Sequence, residues 1–405
     1  MMILDISPRR QATIRKVGRT LIDHGSASRA DIARMCGLSK QASSEAVSLL
    51  EEAGIIEAGE MALGSVGRRP LDYHLASDGG YGLAFDIGGT KILSALISLR
   101  GEIIGTRTAP TDERGGLAIV DQLKQLAGEL FAQAGKDEGR LLSVALGIPG
   151  VPDPSSGLIK LANNLKDWDG LNLHEALAER FPDARIGIEN DVNLAALGEL
   201  QYSGGSLPDS FGFINVGTGI SLGIVLDGAI VRGATGAAGE IGFLPIVPSE
   251  DPSSGRRHEH LEEVFGSYGL LLRHNRKSGT PALNVKEIFA RAEAGDELAE
   301  ACLDEAAFYL SIALLSVRAC IDLGTFVFGG SIGMQDLLIE KVRHELATQG
   351  AQEICLQKSQ INNEAGIYGA MALAGANLYD TIFHFSQAGE TSPRPTLSGP
   401  SGDAG

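Results

Sequence analysis

The sequence predicts an α/β protein with a small helical module at the amino end and a large α/β body made of two similar halves. The first 75 residues carry three short helical patterns followed by two short strand patterns. Residues 81–100 and 211–230 each read as strand, glycine turn and strand. Strand and helix patterns alternate through the rest of the chain, which is typical of an α/β fold.

The amino-terminal patterns predict a winged helix-turn-helix. A helix over residues 9–24 precedes one that begins at Ser28 and one that Ser39 caps and Gly54 ends. Strands at 55–57 and 71–75 flank the wing, residues 64–70 (GSVGRRP). The residues expected to contact DNA are Lys40, Gln41, Ser43, Ser44, Arg68 and Arg69. Glu45 is expected to point away from DNA, and a generic three-helix bundle is the alternative to DNA binding.

The distribution of charge indicates that this module, more than any other part of the chain, could bind DNA. The first 80 residues carry 10 Lys and Arg against 10 Asp and Glu, so the whole net charge of −17 falls on the rest. Only the amino end can therefore approach a polyanion without strong repulsion.

The two hairpins predict phosphate loops. In the first, Asp86 ends a strand and is followed by Gly88, Gly89, Thr90 and Lys91, which suit the phosphates of Mg²⁺-bound nucleotide. In the second, Asn215 and then Gly217, Thr218 and Gly219 stand in the same places. An ordinary glycine-turn hairpin is the alternative for one copy, but the repetition predicts a duplicated lobe with a cleft between the copies.

Asp191 is the candidate catalytic residue of the body. A strand at 142–148 ends in a sharp loop at Gly150, and a strand at 185–188 leads into Glu189, Asn190 and Asp191. Ligand residues of open α/β sheets lie at such carboxyl ends of strands. The Asp191 carboxylate can accept hydrogen bonds from sugar hydroxyls or take a proton from one. The structural alternative is a helix N-cap, which is compatible with either role.

The motifs DIGGTK, GIPG, END, GTGI, AGEIG and FGGSIG, taken in order, resemble those of the ROK family of repressors and sugar kinases. The resemblance covers about residues 9–379. It implies the actin-like, ribonuclease H-like ATPase fold of sugar kinases, hsp70 and actin. It also implies a sugar-responsive transcriptional regulator that represses carbohydrate-utilisation genes. The alternatives are an ATP-dependent sugar kinase that acts on a hexose or N-acetylhexosamine, and a sugar-binding scaffold with neither activity.

The resemblance also implies ligands, partners and their residues. The sugar would be held by Asn190, Asp191, Glu240 and Glu262, with Gly150 at its border. Mg²⁺-ATP phosphates would face Asp86, Gly88, Gly89, Thr90, Lys91, Gly217, Thr218 and Gly219, with Gly329 and Gly330 near the adenine. The expected partners are operator DNA, a monosaccharide or derivative as effector, and further copies of the chain in a homodimer or homotetramer.

One departure from the family pattern concerns zinc. Family members carry a His after the AGE glutamate and a Cys-rich loop, whereas this chain has Phe243 and only His258 and His260 in that loop. A structural zinc site needs about four Cys or His ligands, so no metal is expected. The Phe243 ring is expected to be buried beneath the sugar loop instead.

The expected domains are residues 1–76 for the winged helix-turn-helix, 81–200 for the first lobe and 201–386 for the second lobe. A final helix at 366–379 is expected to pack back on the first lobe, and residues 387–405 are expected to be disordered because they lack apolar side chains. The longest apolar stretch is too short to span a bilayer and no signal peptide is recognisable, which predicts a cytoplasmic protein without a membrane partner.

Overall fold

The computed structural model describes residues 7–59, 71–153, 156–160, 165–168, 170–249, 255–386 and five residues nearer the carboxyl end, 389, 392, 393, 395 and 397. The chain forms two compact units, residues 1–191 with 370–405 and residues 192–369. The first unit thus includes the amino-terminal module together with most of the expected first lobe. Among the described helices, none combines the length and the apolar character needed to cross a membrane.

The amino-terminal module is a winged helix-turn-helix. Its elements are α1 (Pro8–His24), β1 (Ser26–Ser28), α2 (Arg29–Met35), α3 (Lys40–Glu52), β2 (Ile56–Ala58) and β3 (Asp72–Leu75). The side-chain oxygens of Ser28 and Ser39 accept hydrogen bonds from the backbone amides of Asp31 and Ala42, so both serines are the predicted N-caps. The sheet order is β1-β3-β2, and β1 is a strand that the sequence did not reveal. The predicted wing with Arg68 and Arg69 lies outside the described residues.

The first α/β sheet holds the first predicted hairpin. Its elements follow as β4 (Tyr81–Ile87), β5 (Lys91–Ser98), β6 (Ile103–Pro110), α4 (Gly116–Ala134), β7 (Leu141–Ile148), β8 (Val151–Pro152), β9 (Ile159–Lys160), α5 (Leu173–Arg180) and β10 (Arg185–Asn190). The strand order is β10-β7-β4-β5-β6, with β10, β7 and β4 parallel and β5 and β6 antiparallel. The carboxyl ends of β4, β7 and β10 therefore meet at one edge.

The second sheet repeats this arrangement. After α6 (Asp191–Tyr202) come β11 (Phe211–Val216), β12 (Ile220–Leu226), β13 (Ala229–Ile230), β14 (Val247–Pro248), β15 (His258–Glu259), α7 (Leu261–Phe265), α8 (Ser267–Lys277), α9 (Val285–Glu293), α10 (Glu297–Ile321), β16 (Thr325–Gly329), α11 (Asp336–Thr348), β17 (Cys355–Lys358) and α12 (Ala365–Phe383). Here β11 pairs with β12 antiparallel and with β16 parallel, as β4 does with β5 and β7. The predicted repetition of the hairpin is confirmed, and the structure adds a parallel strand beside each copy.

Two helices differ from the sequence prediction. The single helix expected over residues 262–275 is broken at Gly266, whose extended ψ of 164° separates α7 from α8. A Cβ at Gly266 would lie 2.6 Å from the Thr218 carbonyl oxygen, so the break brings the backbone close to the second glycine loop. Asp191 was expected to precede α6 as its N-cap, but it is the first residue of that helix.

Candidate functional site

The first glycine loop is held by its own backbone and by one hydroxyl. The Gly88 amide donates to the Lys91 carbonyl oxygen at 2.9 Å. The Thr111 hydroxyl donates to the Gly88 carbonyl oxygen at 2.7 Å, a support that no motif in the sequence signalled. Thr90 and Lys91 are exposed, so their side chains are available to a ligand.

Asp86, the next-to-last residue of β4, is an ionisable group whose surroundings disfavour its charged form. Burial raises the pKa of its carboxyl to about 6, and the opposing attraction of Lys91 does not offset this. A carboxylate desolvated in this way gains from a nearby cation, which is the situation that a phosphate-bound Mg²⁺ would create. The donor chemistry of the loop therefore fits the predicted nucleotide phosphates.

The candidate phosphate residue Asp86 and the candidate sugar residues of the first unit lie at the carboxyl ends of adjacent parallel strands. Asp86 pairs with Gly147 across β4 and β7, and Asn190 pairs with Ile148 across β7 and β10. The side-chain Nδ2 of Asn190 donates a hydrogen bond to the Gly150 carbonyl oxygen at 3.1 Å, which joins two of the predicted sugar-site residues. Asp191 follows Asn190 directly as the start of α6.

The second glycine loop is supported from α7 and α8. The Gly217 amide donates to the Gly219 carbonyl oxygen at 2.9 Å. The backbone amide and the hydroxyl of Ser267 both donate to the Gly217 carbonyl oxygen, at 2.9 and 2.8 Å. The Glu262 carboxylate accepts from the Ile220 amide at 3.2 Å, so this predicted sugar ligand lies against the loop. Ser267 was missed in the sequence because a serine after a glycine carries no distinctive signal.

Glu240 and Glu262 are neighbours within the second unit. Burial, and then the negative charge of Glu262, raise the pKa of the Glu240 carboxyl. The loop that carries Glu240 depends on Gly239, which has φ of 90° and whose Cβ would lie 1.8 Å from the Leu222 carbonyl oxygen. Gly239 is therefore required for both its backbone conformation and its close approach.

Gly329 ends β16 and Gly330 follows it, beside the second glycine loop. Asn215 pairs with Gly329 across β11 and β16, which brings residues 217–219 and 329–330 to one edge of the sheet. Gly330 has φ of 82°, and a Cβ there would lie 2.6 Å from the Asn215 side-chain oxygen. Residues 217–219 and 329–330 are the ones expected to face nucleotide in this unit. The pairing of β11 with β16 places them next to one another.

The loop between Glu240 and Glu262, where the family resemblance raised the question of zinc, is held by contacts among its own side chains and backbone. Phe243 is 37% exposed, so the expectation that its ring is buried is wrong: it ends a 3₁₀ turn whose buried side chain is Ile241. Its ring meets the His260 ring edge-on at 5.7 Å. Glu263 accepts from the Arg256 guanidinium at 3.0 Å and from the His260 amide at 3.0 Å. Among the described residues no three His, Cys, Asp or Glu side chains form a group able to hold a metal.

The start of α3 offers part of the predicted DNA-binding face. Lys40 and Gln41 are exposed and Ser44 is partly exposed, whereas Ser43 is 1% exposed and donates to the Arg29 carbonyl oxygen. Ser43 therefore supports the helix-turn-helix and does not face a ligand. Glu45 is exposed and accepts from the Gln41 amide at 3.1 Å, so it lies on the same face as Gln41 and does not point away from it.

That face borders a groove of 390 Å³ between the starts of α1 and α3. Among its lining residues are Arg9, Arg10, Gln41 and Glu45. Two arginines at the start of one helix, beside the start of another, suit a phosphate backbone.

Comparison with known proteins agrees with both parts of the fold. The profile described as "ROK family" matches residues 82–377, and that of a winged helix-turn-helix DNA-binding domain matches residues 10–57. A β-glucoside kinase from Listeria innocua is 31% identical over 309 residues, covering 75% of this chain and 97% of the relative. A putative xylose repressor from Caldicellulosiruptor is 31% identical over 259 residues, covering 62% of this chain and 63% of the relative.

A solved structure extends the likeness to the amino-terminal module. The crystal structure of a ROK family transcriptional regulator, a homologue of the E. coli MLC protein, aligns with a TM-score of 0.71 and 22% identity. The alignment covers 93% of this chain and 98% of that one, which establishes a common fold. The chain belongs to the ROK family and carries a winged helix-turn-helix domain at its amino end.

Proposed function

We propose that this protein is a sugar-responsive transcriptional repressor of carbohydrate-utilisation genes, in which sugar binding to the ROK body releases DNA. One observation carries the proposal: the winged helix-turn-helix shares a single apolar core with the body. Leu99 after β5 and Leu142 of β7 belong to the same buried cluster as Val17, Leu21 and Leu50 of the module. Such packing ties the module to the body, and a ROK family transcriptional regulator of known structure shares the fold over 93% of this chain.

The sugar-binding role rests on side chains suited to hydroxyl groups. Asn190 and Asp191 supply an amide and a carboxylate at one strand end, and Glu240 and Glu262 supply two carboxylates in the other unit. Carboxylates accept hydrogen bonds from sugar hydroxyls, and an amide both donates and accepts. Burial and the neighbouring Glu262 carboxylate raise the Glu240 pKa, so hydrogen bonds from the hydroxyls of a ligand would stabilise its charged form.

The experiment has two parts. A duplex is first selected from a random-sequence pool by the full-length protein, and its binding is then measured with and without each sugar of a monosaccharide panel. The proposal predicts a selected sequence with two half-sites and weaker binding with at least one sugar. Failure to enrich any sequence, with intact folded protein, would contradict it.

A second candidate function is an ATP-dependent sugar kinase. It is favoured by the complete first loop, where the Asp86 carboxylate is desolvated beside Lys91, and by the 31% identity to a β-glucoside kinase. When bound, Mg²⁺-ATP would supply the phosphoryl group. Asp86, Thr90 and Lys91 would hold its phosphates, and Asp191 would accept the proton of the attacking sugar hydroxyl.

A coupled assay for ADP release over the same sugar panel separates the two functions. Turnover that depends on sugar and disappears in Asp191→Asn would support the kinase. Sugar binding without turnover would exclude the kinase and leave sugar sensing for repression as the function of the ROK body.

A further inference from the structure

The carboxyl end of α12 is part of the core of the DNA-binding module. Leu378, Tyr379, Ile382 and Phe383 of this helix, with Phe385 just after it, lie in the same buried cluster as the apolar side chains of α1 and α3. Phe383 and Phe385 are 1% and 0% exposed. The module is therefore packed on this helix end by buried aromatic side chains.

The contact with α1 is close and has polar components. A Cβ on Gly18 of α1 would lie 2.4 Å from the Phe383 ring, so the glycine lets the ring meet the helix backbone. The Arg15 guanidinium donates to the His384 carbonyl oxygen at 3.0 Å. The Arg19 guanidinium lies 5.6 Å from the centre of the Phe385 ring. Because these side chains are closely packed without voids, a shift of this helix end must displace α1 or weaken its packing.

The amino end of α12 makes an equally close contact with α6. A Cβ on Gly198 of α6 would lie 2.2 Å from the Ala365 carbonyl oxygen. A Cβ on Gly369 of α12 would lie 1.8 Å from the Leu194 carbonyl oxygen. The two helix backbones touch at both points, so neither helix can slide along the other without disturbing its partner.

A buried carboxylate adds a second connection between α6 and the segment that leads into α12. Glu199 of α6 is 1% exposed, and it accepts hydrogen bonds from the Ser359 hydroxyl and from the Gln360 amide. The Ser359 hydroxyl oxygen accepts in turn from the Asn362 amide at 2.6 Å. Residues 359–362 are thus tied to the helix that begins with Asp191.

We propose that α6 and α12 carry the sugar signal to the DNA-binding module, with Glu199 of α6 positioning the segment before α12 and Phe383 positioning α1 at the other end of that helix. This inference rests on the proposed function. A ligand on Asp191 shifts the first turn of α6, and the backbone contacts and Glu199 pass the shift to the start of α12. The helix has 19 residues and is about 28 Å long, so it carries the displacement as one rigid element to Phe383 and α1.

The test uses two helix glycines that differ in their surroundings. Gly18→Ala places a methyl group against the Phe383 ring, whereas Gly128→Ala in α4 places one where nothing lies within 4 Å. Both changes raise helix propensity alike, so Gly128→Ala controls for the effect on local helix stability. Glu199→Gln provides an independent variant at the other end of α12, since it keeps the shape of the side chain and removes its charge.

The measured quantity is the ratio of DNA Kd values with and without saturating sugar, using the selected duplex and the panel sugar that wild type binds most tightly. Coupling of this kind is about 5- to 150-fold in other proteins. We expect Gly128→Ala to keep the wild-type ratio of DNA Kd values. In Gly18→Ala and Glu199→Gln the ratio should fall below about 3-fold. The sugar Kd of these two variants should change by less than about 3-fold. Hydrogen exchange of α1 amides should respond to sugar in wild type and not in these two variants, which a purely structural role would not produce.

Two failures are distinguishable. Wild-type protein whose DNA affinity ignores every sugar that it binds would overturn the proposed function and, with it, this inference. A wild-type response that survives at full size in Gly18→Ala and Glu199→Gln would overturn this inference alone. If Gly18→Ala fails to fold, Glu199→Gln and the exchange measurement still decide the matter.

Discussion

Asp86→Asn tests whether the first glycine loop keeps a carboxylate at the expense of stability. Asp86 has a raised pKa of about 6 because burial disfavours its charged form, and the nearby Lys91 does not compensate for this. A residue held in this way for ligand binding should be replaceable by its neutral isostere with a gain in stability. The same replacement should weaken binding of Mg²⁺-nucleotide to the free protein.

The magnitude follows from the difference between the folded and unfolded pKa values. One pKa unit corresponds to about 1.4 kcal/mol, so a rise from 3.8 to about 6 lowers the free energy of unfolding by about 3 kcal/mol once the group is ionised. The folded pKa lies above the unfolded value. The loss therefore develops as the pH rises from about 4 to about 6 and stays constant above that.

The assay is urea unfolding followed by fluorescence of Trp168, the single tryptophan, which is 0% exposed in the core of the same unit. Asp86→Asn should unfold at higher urea than wild type, by about 3 kcal/mol at pH 8 and about half of that at pH 5. Asp78→Asn is the control of opposite sign, because a hydrogen bond from Lys136 lowers the pKa of Asp78. An Asp86→Asn variant that is less stable than wild type at pH 8 would refute the reasoning.

Three further predictions concern the sugar site. Asp191→Asn should melt within a few degrees of wild type and bind DNA normally, but DNA release by sugar should be lost; a dose-response curve like that of wild type would exclude Asp191 from the site. Gly239→Ala should cost about 2–4 kcal/mol and abolish sugar binding, because its Cβ meets the Leu222 carbonyl oxygen at 1.8 Å and displaces Glu240; normal calorimetric titration with sugar would argue against a role for this loop. Treatment with a chelator should leave the melting temperature and the sugar response unchanged, and metal analysis finding close to one zinc per chain would contradict this.

Features set by local chemistry could be predicted from the sequence. Ser28 and Ser39 cap their helices because a serine oxygen satisfies a backbone amide three residues away, which needs no tertiary contact. The two hairpins follow from apolar runs around glycine turns, and their repetition indicated the duplicated fold. The strand ends with Asp86 and Asn190 follow from the same patterns, since parallel strands gather their carboxyl ends.

Features that depend on packing could not be predicted in this way. The same α3 pattern leaves Gln41 exposed and buries Ser43 against α2. The position of a residue in the helix therefore could not tell a candidate DNA contact from a residue that stabilises the fold. Phe243 is exposed because Ile241 takes the buried place in their shared turn. The packing of α1 on Phe383 joins residues 365 positions apart, and nothing local in either helix indicates it.

Disorder predicted for residues 387–405 stays a prediction, since most of that segment lies outside the described residues. Of the residues described there, Pro395 is buried and would be 2.2 Å from a Cβ on Gly375 of α12. Burial opposes ionisation of Asp380, but hydrogen bonds from Ser386 and, to a smaller extent, Ser392 lower the pKa of its carboxyl. The helix that holds the DNA-binding module thus also contacts part of the carboxyl-terminal segment.

The central claim is that sugar and DNA binding are coupled within one chain, and reciprocal calorimetry tests it most directly. The sugar that wild type binds most tightly is titrated into the free protein and into its complex with the selected duplex. Because coupling free energies are reciprocal, sugar should bind the DNA complex more weakly by the same factor by which it weakens DNA binding. We predict a factor of about 5 or more. Equal sugar Kd values with and without DNA would contradict the account.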